Sequence, residues 1–347
     1  MHLTLLIPDL LWPEPDDQET LTHLTCPALE TLIGKSHSTR GPRQPLELAL
    51  ARQLGLGAPG LAPYRLLGET AAPAPGEKLW YCADPIQLQF HHERIILGDV
   101  SRLTLTADEA QALVADLNQH FADLGRFHAP HPQRWYLEAA AGLELPALPP
   151  LSAASGRQLG AVLPDSAHLA RLMNELQMRL HTHPVNRARE ARRQPLINGL
   201  WLWGGAALAA PGVCPHDALF APAPLATGLA RHLGLVSQAP PASLAALLVE
   251  ASGTRPLVLL DCLLAASLIE DGDAWRAALT QLEADWFAPI VDHLGQRITR
   301  LELISPTVFG VLHWHIRSPD RWKFWRRRKR LAHLTYELAS LARHPAP

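Results

Sequence analysis

The feature that most constrains the fold is a continuous apolar run, LTLLI, at residues 3–7. A run of strand length without polar alternation is typical of a strand covered on both faces, as in the middle of a parallel sheet. Pro8 and Asp9 follow immediately and end the run. Asp9 is therefore expected just past the carboxyl end of a central strand, where open α/β sheets place ligand-binding groups. The alternative role for Asp9 is to cap a turn.

Strand-like and helix-like segments alternate at both ends of the chain. Residues 46–54 predict a helix that a glycine- and proline-rich stretch closes, and residues 256–260 predict another buried strand. This alternation predicts an α/β core with a doubly wound, mostly parallel sheet. We assign residues 1–70 and 181–347 to this discontinuous core, with residues 321–347 as its basic C-terminal tail.

Residues 71–180 are predicted to form a smaller α+β domain inserted into the core. The stretch TAAPAPGE at residues 70–77 has the composition of a linker, and short strand-like runs follow it. The clearest helix begins at Thr106, where Glu109 completes a capping box. A later amphipathic helix is expected to stop before Pro184, because proline cannot continue a helix.

The composition indicates a folded globular protein without a general preference for polyanions. Apolar residues make up 48% of the chain, which is enough for a substantial core, and the formal net charge is only −2. The four cysteines form no CxxC pair, which favours reduced thiols over disulfides or a structural zinc site. No basic leader with a cleavage site and no membrane-spanning run is evident. These features predict a cytoplasmic location.

The stretch HTHPVNRAREARRQPLINGLWLWGG, residues 181–205, contains the densest group of candidate ligand-binding residues. Its four arginines lie between residues 187 and 193, and guanidinium groups match the oxygens of phosphate. A solvated helix surface would give the same pattern of charge. Both interpretations are open from the residues alone.

Several segments follow the order found in one family of enzymes. They are CADPIQLQ (82–89), LTADEAQALVADLNQHF (105–121), LMNELQMRLHTHPVNRAREARRQPLINGLWLWGG (172–205), GLARHLGL (228–235) and DGDAWRAALTQLE (271–283). The chain resembles the archaeal type of cofactor-independent phosphoglycerate mutase, in the alkaline phosphatase superfamily. It also resembles a bacterial group of RpfE-type regulatory proteins.

This resemblance implies an alkaline-phosphatase-like core, an inserted substrate-side domain and a site with two divalent metals, Mn²⁺ or Mg²⁺. In that family the metals activate a serine that carries the phosphoryl group. The resemblance implies that Asp9 is a metal ligand. It also implies ligand-binding roles in the HPVN and R-x-x-R segment, namely for His183, Asn186, Arg189 and Arg192.

The segments that should carry the other catalytic groups depart from the family pattern. The serine position falls in RGPRQP (40–45), the aspartate–histidine segment reads AASLIEDGD (265–273), and the last aspartate–histidine pair is replaced by ISPTVFG (304–310). Without both metals, a serine hydroxyl has little to activate it. The sequence therefore predicts a degenerate, noncatalytic and regulatory homologue whose ligand is a phosphorylated small molecule. The alternative is an active metal-dependent mutase or phosphatase with displaced ligands.

The segment RWKFWRRRKR, residues 321–330, supports a third interpretation. It contains seven basic residues with three aromatic residues between them. Such a composition suits contact with nucleic acid, with a membrane surface or with a protein partner. The alternative is an exposed segment whose aromatic rings pack onto the core.

Overall fold

The chain forms two compact units. The computed structural model describes residues 1–22, 24–57, 60–91, 94–98, 103–155, 157–250, 253–323 and 325–343. Unit 1 comprises residues 1–55, 213–222 and 234–347, and unit 2 comprises residues 56–212 and 223–233. Phe324 of the basic segment and residues 344–347 of the tail lie outside the described residues.

The described strands and helices are numbered in chain order. The strands are β1 (His2–Leu6), β2 (His37–Gly41), β3 (Trp80–Ile86), β4 (Leu88–His91), β5 (Arg94–Leu97), β6 (Gly125–His131), β7 (Arg134–Ala139), β8 (Gly199–Ala206), β9 (Ala218–Phe220), β10 (Ser237–Gln238), β11 (Pro256–Leu259), β12 (Arg300–Thr307) and β13 (Gly310–Arg317). The helices are α1 (Gln18–Thr22), α2 (Pro27–Lys35), α3 (Leu46–Gln53), α4 (Ala62–Gly68), α5 (Ala107–His120), α6 (Leu151–Ala154), α7 (Leu159–Val162), α8 (Ala167–His181), α9 (Pro184–Ala191), α10 (Leu225–Leu233), α11 (Leu244–Glu250), α12 (Leu264–Leu268), α13 (Gly272–Leu282), α14 (Ala288–His293) and α15 (Leu331–Arg343). A π-helical segment, Glu283–Phe287, joins α13 to α14.

The described strands of unit 1 form a seven-stranded sheet in the order β10-β9-β11-β1-β12-β13-β2. The predicted central strand is confirmed, because β1 pairs in parallel with β11 on one side and with β12 on the other. Its apolar side chains are fully buried on both faces of the sheet, as the continuous run predicts. Only β13 and β2, at one edge, run antiparallel to their neighbours. The sheet is therefore mostly parallel, and the protein belongs to the mixed α/β class.

Unit 2 contains a four-stranded antiparallel sheet in the order β6-β7-β3-β8. This order corrects one consequence of assigning residues 181–347 to the core, namely that a strand near residues 200–203 would lie in the parallel sheet. Instead β8 pairs with β3, with Asp84 opposite Trp201. The apolar run GLWLWGG specifies a buried strand, but a continuous run carries no information about which strand lies beside it. Whether unit 2 is an insertion into an alkaline-phosphatase-like core stays a prediction.

Both helix signals in the sequence agree with the structure. The capping box is confirmed, because the Thr106 side chain accepts the Glu109 backbone N–H while the Glu109 carboxylate accepts the Thr106 N–H. Pro184 does follow the end of α8, but it also begins α9, because proline fits the first turn of a helix.

The four cysteines, at positions 26, 82, 214 and 262, form no disulfide bond with one another. Among the described residues, no helix combines the length and apolar character needed to cross a bilayer.

Candidate functional site

Asp9 lies just past the carboxyl end of the central strand β1, as predicted. Its backbone adopts φ of 51°, a left-handed conformation that aspartate tolerates better than most residues. The Asp9 N–H donates to the Pro306 carbonyl at 2.9 Å, and the Asp9 carbonyl accepts the Trp275 indole N–H at 2.9 Å. Asp9 therefore has a role in the backbone packing of this edge, independent of its carboxylate.

Two tryptophans fill the space beside this backbone. Trp275 is completely buried and Trp12 is 1% exposed, and their ring centroids lie 5.4 Å apart at a tilt of 54°. The Trp12 indole N–H donates to Asp17 at 3.1 Å, so both indole groups have hydrogen-bond partners. The Asp9 backbone is thus packed against aromatic side chains whose own polar groups are satisfied.

The hydroxyl groups at the end of β12 also serve the backbone. Ser305 accepts the Leu10 N–H at 3.1 Å, while Thr307 donates to the Gly310 carbonyl at 2.8 Å. Across the described residues, no group of three or more His, Cys, Asp or Glu side chains is placed to hold a metal ion. The described side chains therefore do not complete a ligand set around Asp9, and its role as a metal ligand stays a prediction.

A cavity of about 310 Å³ opens beside the carboxyl end of β11. Asp261 and Cys262, which follow the strand directly, line it together with Gln281 and Asp285 from the facing helical segment. The Gln281 amide donates to the Asp285 carboxylate at 2.5 Å and so holds that carboxylate in place. Apolar groups from 240–242 and from the core complete the wall. Desolvation raises the pKa of the Cys262 thiol, which keeps the thiol protonated at neutral pH.

The predicted ligand-binding residues are held together on α9, but two of them are structural. Asn186 is 1% exposed, and its amide donates to the carbonyls of Leu180 and Ile197 at 2.7 and 2.6 Å. Its carbonyl oxygen accepts the Ile197 N–H at 2.9 Å. The side chain thereby ties the end of α8 to the segment that enters β8.

Arg189 is also 1% exposed and is held by three groups of unit 2. Its guanidinium pairs with Glu109 at 2.9 Å and donates to the carbonyls of Thr104 and Pro195 at 2.9 and 2.8 Å. Because Glu109 also belongs to the capping box of α5, this contact joins two of the segments on which the resemblance rests. Arg189 therefore links α9 to the start of α5 and to the backbone at Thr104 and Pro195.

The other two predicted residues lie nearer to solvent. His183 is the N-cap of α9, where its Nδ1 accepts the Val185 N–H at 3.2 Å. Desolvation lowers the pKa of His183, so its neutral form, which can accept this bond, is favoured. Arg192 is exposed at the C-terminus of α9. Ligand binding by His183 and Arg192 stays a prediction.

Unit 2 contains a buried ion pair that the sequence patterns above do not predict. Arg65 makes a bidentate pair with Asp84 at 2.7 and 2.8 Å, and the Trp203 indole N–H donates to the same carboxylate at 2.8 Å. Burial alone would lower the pKa of Arg65, but the Asp84 carboxylate raises it above its ordinary value. The sequence does contain an indication of this pair, since Asp84 is a charged residue inside the apolar run LWYCADPI. A buried carboxylate requires a partner.

The ion pair continues into a second pair. The Arg65 Nε donates to the Tyr136 hydroxyl at 3.0 Å, and that hydroxyl donates to Glu69 at 2.9 Å. Arg134 holds Glu69 with two further hydrogen bonds of 2.7 and 2.9 Å. Each of these charged groups is therefore hydrogen-bonded to a partner within unit 2.

Comparisons with known proteins give a likeness of fold. No family model and no curated protein matches the sequence. Among solved structures, the PH0037 protein from Pyrococcus horikoshii matches with a TM-score of 0.55 and 14% identity, over 98% of this chain and 95% of that chain. A cofactor-independent phosphoglycerate mutase from Thermoplasma acidophilum DSM 1728 matches with a TM-score of 0.46 and 16% identity, over 98% of each chain. The chain therefore shares the fold of the Pyrococcus protein.

Proposed function

We propose that the protein is a noncatalytic, regulatory relative of the cofactor-independent phosphoglycerate mutases that binds a small molecule at the carboxyl edge of its parallel sheet. One observation carries the noncatalytic part. The fully buried Trp275 donates its indole N–H to the Asp9 carbonyl, at the strand end where the resemblance expects metal chemistry. A cytoplasmic location is part of the same proposal and is supported by the scattered spacing of the four cysteines, which does not suit a disulfide framework.

The surroundings of Asp9 support structure over phosphoryl transfer. A two-metal site needs several anionic or imidazole ligands that converge on an open, polar space. Trp12 and Trp275 instead pack against each other beside the Asp9 backbone, and the Ser305 hydroxyl is committed to the Leu10 N–H. These contacts agree with the sequence, in which the serine segment and two metal-bearing segments depart from the family pattern.

The cavity beside β11 supports the binding part of the proposal. Its volume of about 310 Å³ falls at the lower end of the range for small-molecule sites. Its described lining combines apolar walls with Asp261 and Asp285 and includes no basic side chain. A phosphorylated ligand would bring negative charge against both carboxylates, whereas a cationic ligand with an apolar body would pair with them. The favoured ligand for this cavity is therefore an amine.

Ligand binding is tested by thermal shift with a set of primary amines, putrescine and agmatine among them, and with 3-phosphoglycerate. An amine should raise the melting temperature, and 3-phosphoglycerate should leave it unchanged. Ala278→Phe fills the cavity and should abolish the shift, whereas Ala277→Phe, on the exposed face of the same helix, is the matched control. A shift produced by 3-phosphoglycerate alone, or one lost equally in both variants, would contradict the assignment.

Catalysis is tested separately by conversion of 3-phosphoglycerate to 2-phosphoglycerate in the presence of Mn²⁺. We expect no turnover above the rate without protein. The control variant is Asp9→Asn, because asparagine retains the left-handed backbone conformation while the carboxylate is lost. Robust turnover that disappears in Asp9→Asn would show that the protein is an enzyme with displaced ligands.

A further inference from the structure

A strip of five consecutive basic residues, Arg326–Arg330, lies exposed on unit 1. We call it the basic strip. It is held against α2 and its C-cap residue, because the Lys329 backbone N–H donates to the Glu30 carbonyl at 3.2 Å and the Arg326 guanidinium donates to the Ser36 carbonyl at 2.7 Å. Gly34 permits this approach, since a Cβ at that position would lie 2.4 Å from the Arg327 carbonyl oxygen. The strip therefore has a fixed course along α2, and its residues are exposed to solvent.

A cavity of about 370 Å³ lies where the basic strip meets the first turns of α15. Arg328, Lys329 and Arg330 line it from the strip, and His333 and Glu337 line it from the helix. Within the part of the chain that the structure describes, none of the three cations of the strip is in an ion pair with an acidic side chain. The lining thus includes three permanently cationic side chains and a single carboxylate.

The positive charge is local to this segment. Residues 321–330 contain seven Lys or Arg and no acidic residue, so the rest of the chain carries a formal charge of −2 − 7 = −9. Charges separated by more than about 10 Å are largely screened at physiological salt. An anion is therefore attracted at the strip and not by the protein as a whole, which favours a compact polyanion over a long one.

We propose that this cavity binds a small anionic ligand that carries two or more phosphate groups. Guanidinium groups form paired hydrogen bonds with phosphate oxygens, and a lysine ammonium adds a point charge. A concave site with three cations can neutralise a di- or triphosphate, whereas a single phosphate would leave part of that charge unpaired. The cavity is formed by elements other than those of the cavity beside β11, so the proposal does not depend on the proposed function.

The experiment measures binding of inorganic tripolyphosphate to the full chain by isothermal titration calorimetry. We expect one site per chain whose affinity falls as salt is added. The triple variant Arg328→Gln, Lys329→Gln, Arg330→Gln should weaken binding by at least about tenfold. The matched control is Arg43→Gln, Arg157→Gln, Arg171→Gln, which removes the same charge from exposed positions elsewhere and should bind like the unmodified protein. Circular dichroism verifies that both variants fold.

Further arms identify the source of the phosphate groups. Vesicles of phosphatidylcholine with phosphatidylserine test a lipid surface, and a single-stranded oligonucleotide tests nucleic acid. Binding of tripolyphosphate that only the strip variant weakens would support the proposal. Absence of tripolyphosphate binding, equal weakening in both triple variants, or strip-dependent binding of vesicles or oligonucleotide without tripolyphosphate binding would overturn it.

Discussion

Replacing Asn186 with alanine tests whether the HPVN segment stabilises the fold or binds a ligand. The Asn186 side chain is 1% exposed and satisfies three backbone groups, namely the carbonyls of Leu180 and Ile197 and the Ile197 N–H. Asn186→Ala leaves all three without a partner in a buried place. Since each such hydrogen bond contributes about 1 kcal/mol and an unpaired buried group costs somewhat more, the free energy of unfolding should fall by about 3–5 kcal/mol.

The assay is urea denaturation followed by circular dichroism, together with hydrogen exchange across residues 180–197. Exchange should accelerate at the Ile197 amide, whose acceptor is lost. The exposed neighbour Arg192→Ala is the control and should change stability by no more than about 0.5 kcal/mol. If Asn186 instead serves to bind a ligand, Asn186→Ala should cause little loss of stability. Stability of that variant within about 0.5 kcal/mol of the unmodified protein would refute the scaffold interpretation.

Two further predictions concern a buried ion pair and a half-buried histidine. Arg65→Met leaves the Asp84 carboxylate buried without its guanidinium, and urea denaturation should show a loss of about 3–5 kcal/mol; the added change Asp84→Asn should restore part of it, and no restoration would argue against the pair. Desolvation, followed by the charge of His315, lowers the pKa of His313 in the folded protein. As the pH falls, this histidine is therefore protonated in the unfolded chain at a higher pH than in the folded protein. The stability that depends on neutral His313 is therefore present above about pH 6.5 and is lost as the pH falls below that value. Urea denaturation across this range should show a smaller pH dependence in His313→Gln than in the exposed control His2→Gln, and equal slopes would contradict it.

The elements that depend on local pattern could be predicted from the sequence. The run at residues 3–7 predicts a strand covered on both faces, and β1 is central in the parallel sheet. The Thr106 and Glu109 capping box begins α5 as predicted, because both hydrogen bonds connect residues three positions apart. Such features need no knowledge of distant partners.

Features that depend on distant partners could not be predicted. The apolar run of β8 fits any buried strand position, so its pairing with β3 follows only from the tertiary structure. Arg189 lies in a segment with the charge pattern of a solvated helix, yet its partners Glu109 and Thr104 are 80 and 85 positions away along the chain. The cavity beside β11 likewise joins side chains from separate segments, which no local motif marks.

We infer that the sheet edge around Asp9 is packed for structure and not for metal chemistry. The most direct measurement is calorimetric titration of Mn²⁺ into the unmodified protein and into Asp9→Asn. The packing of Trp12 and Trp275 beside the Asp9 backbone predicts that the two titrations are the same, with no stoichiometric binding that depends on the Asp9 carboxylate. Stoichiometric binding of Mn²⁺ that is lost in Asp9→Asn would contradict the claim.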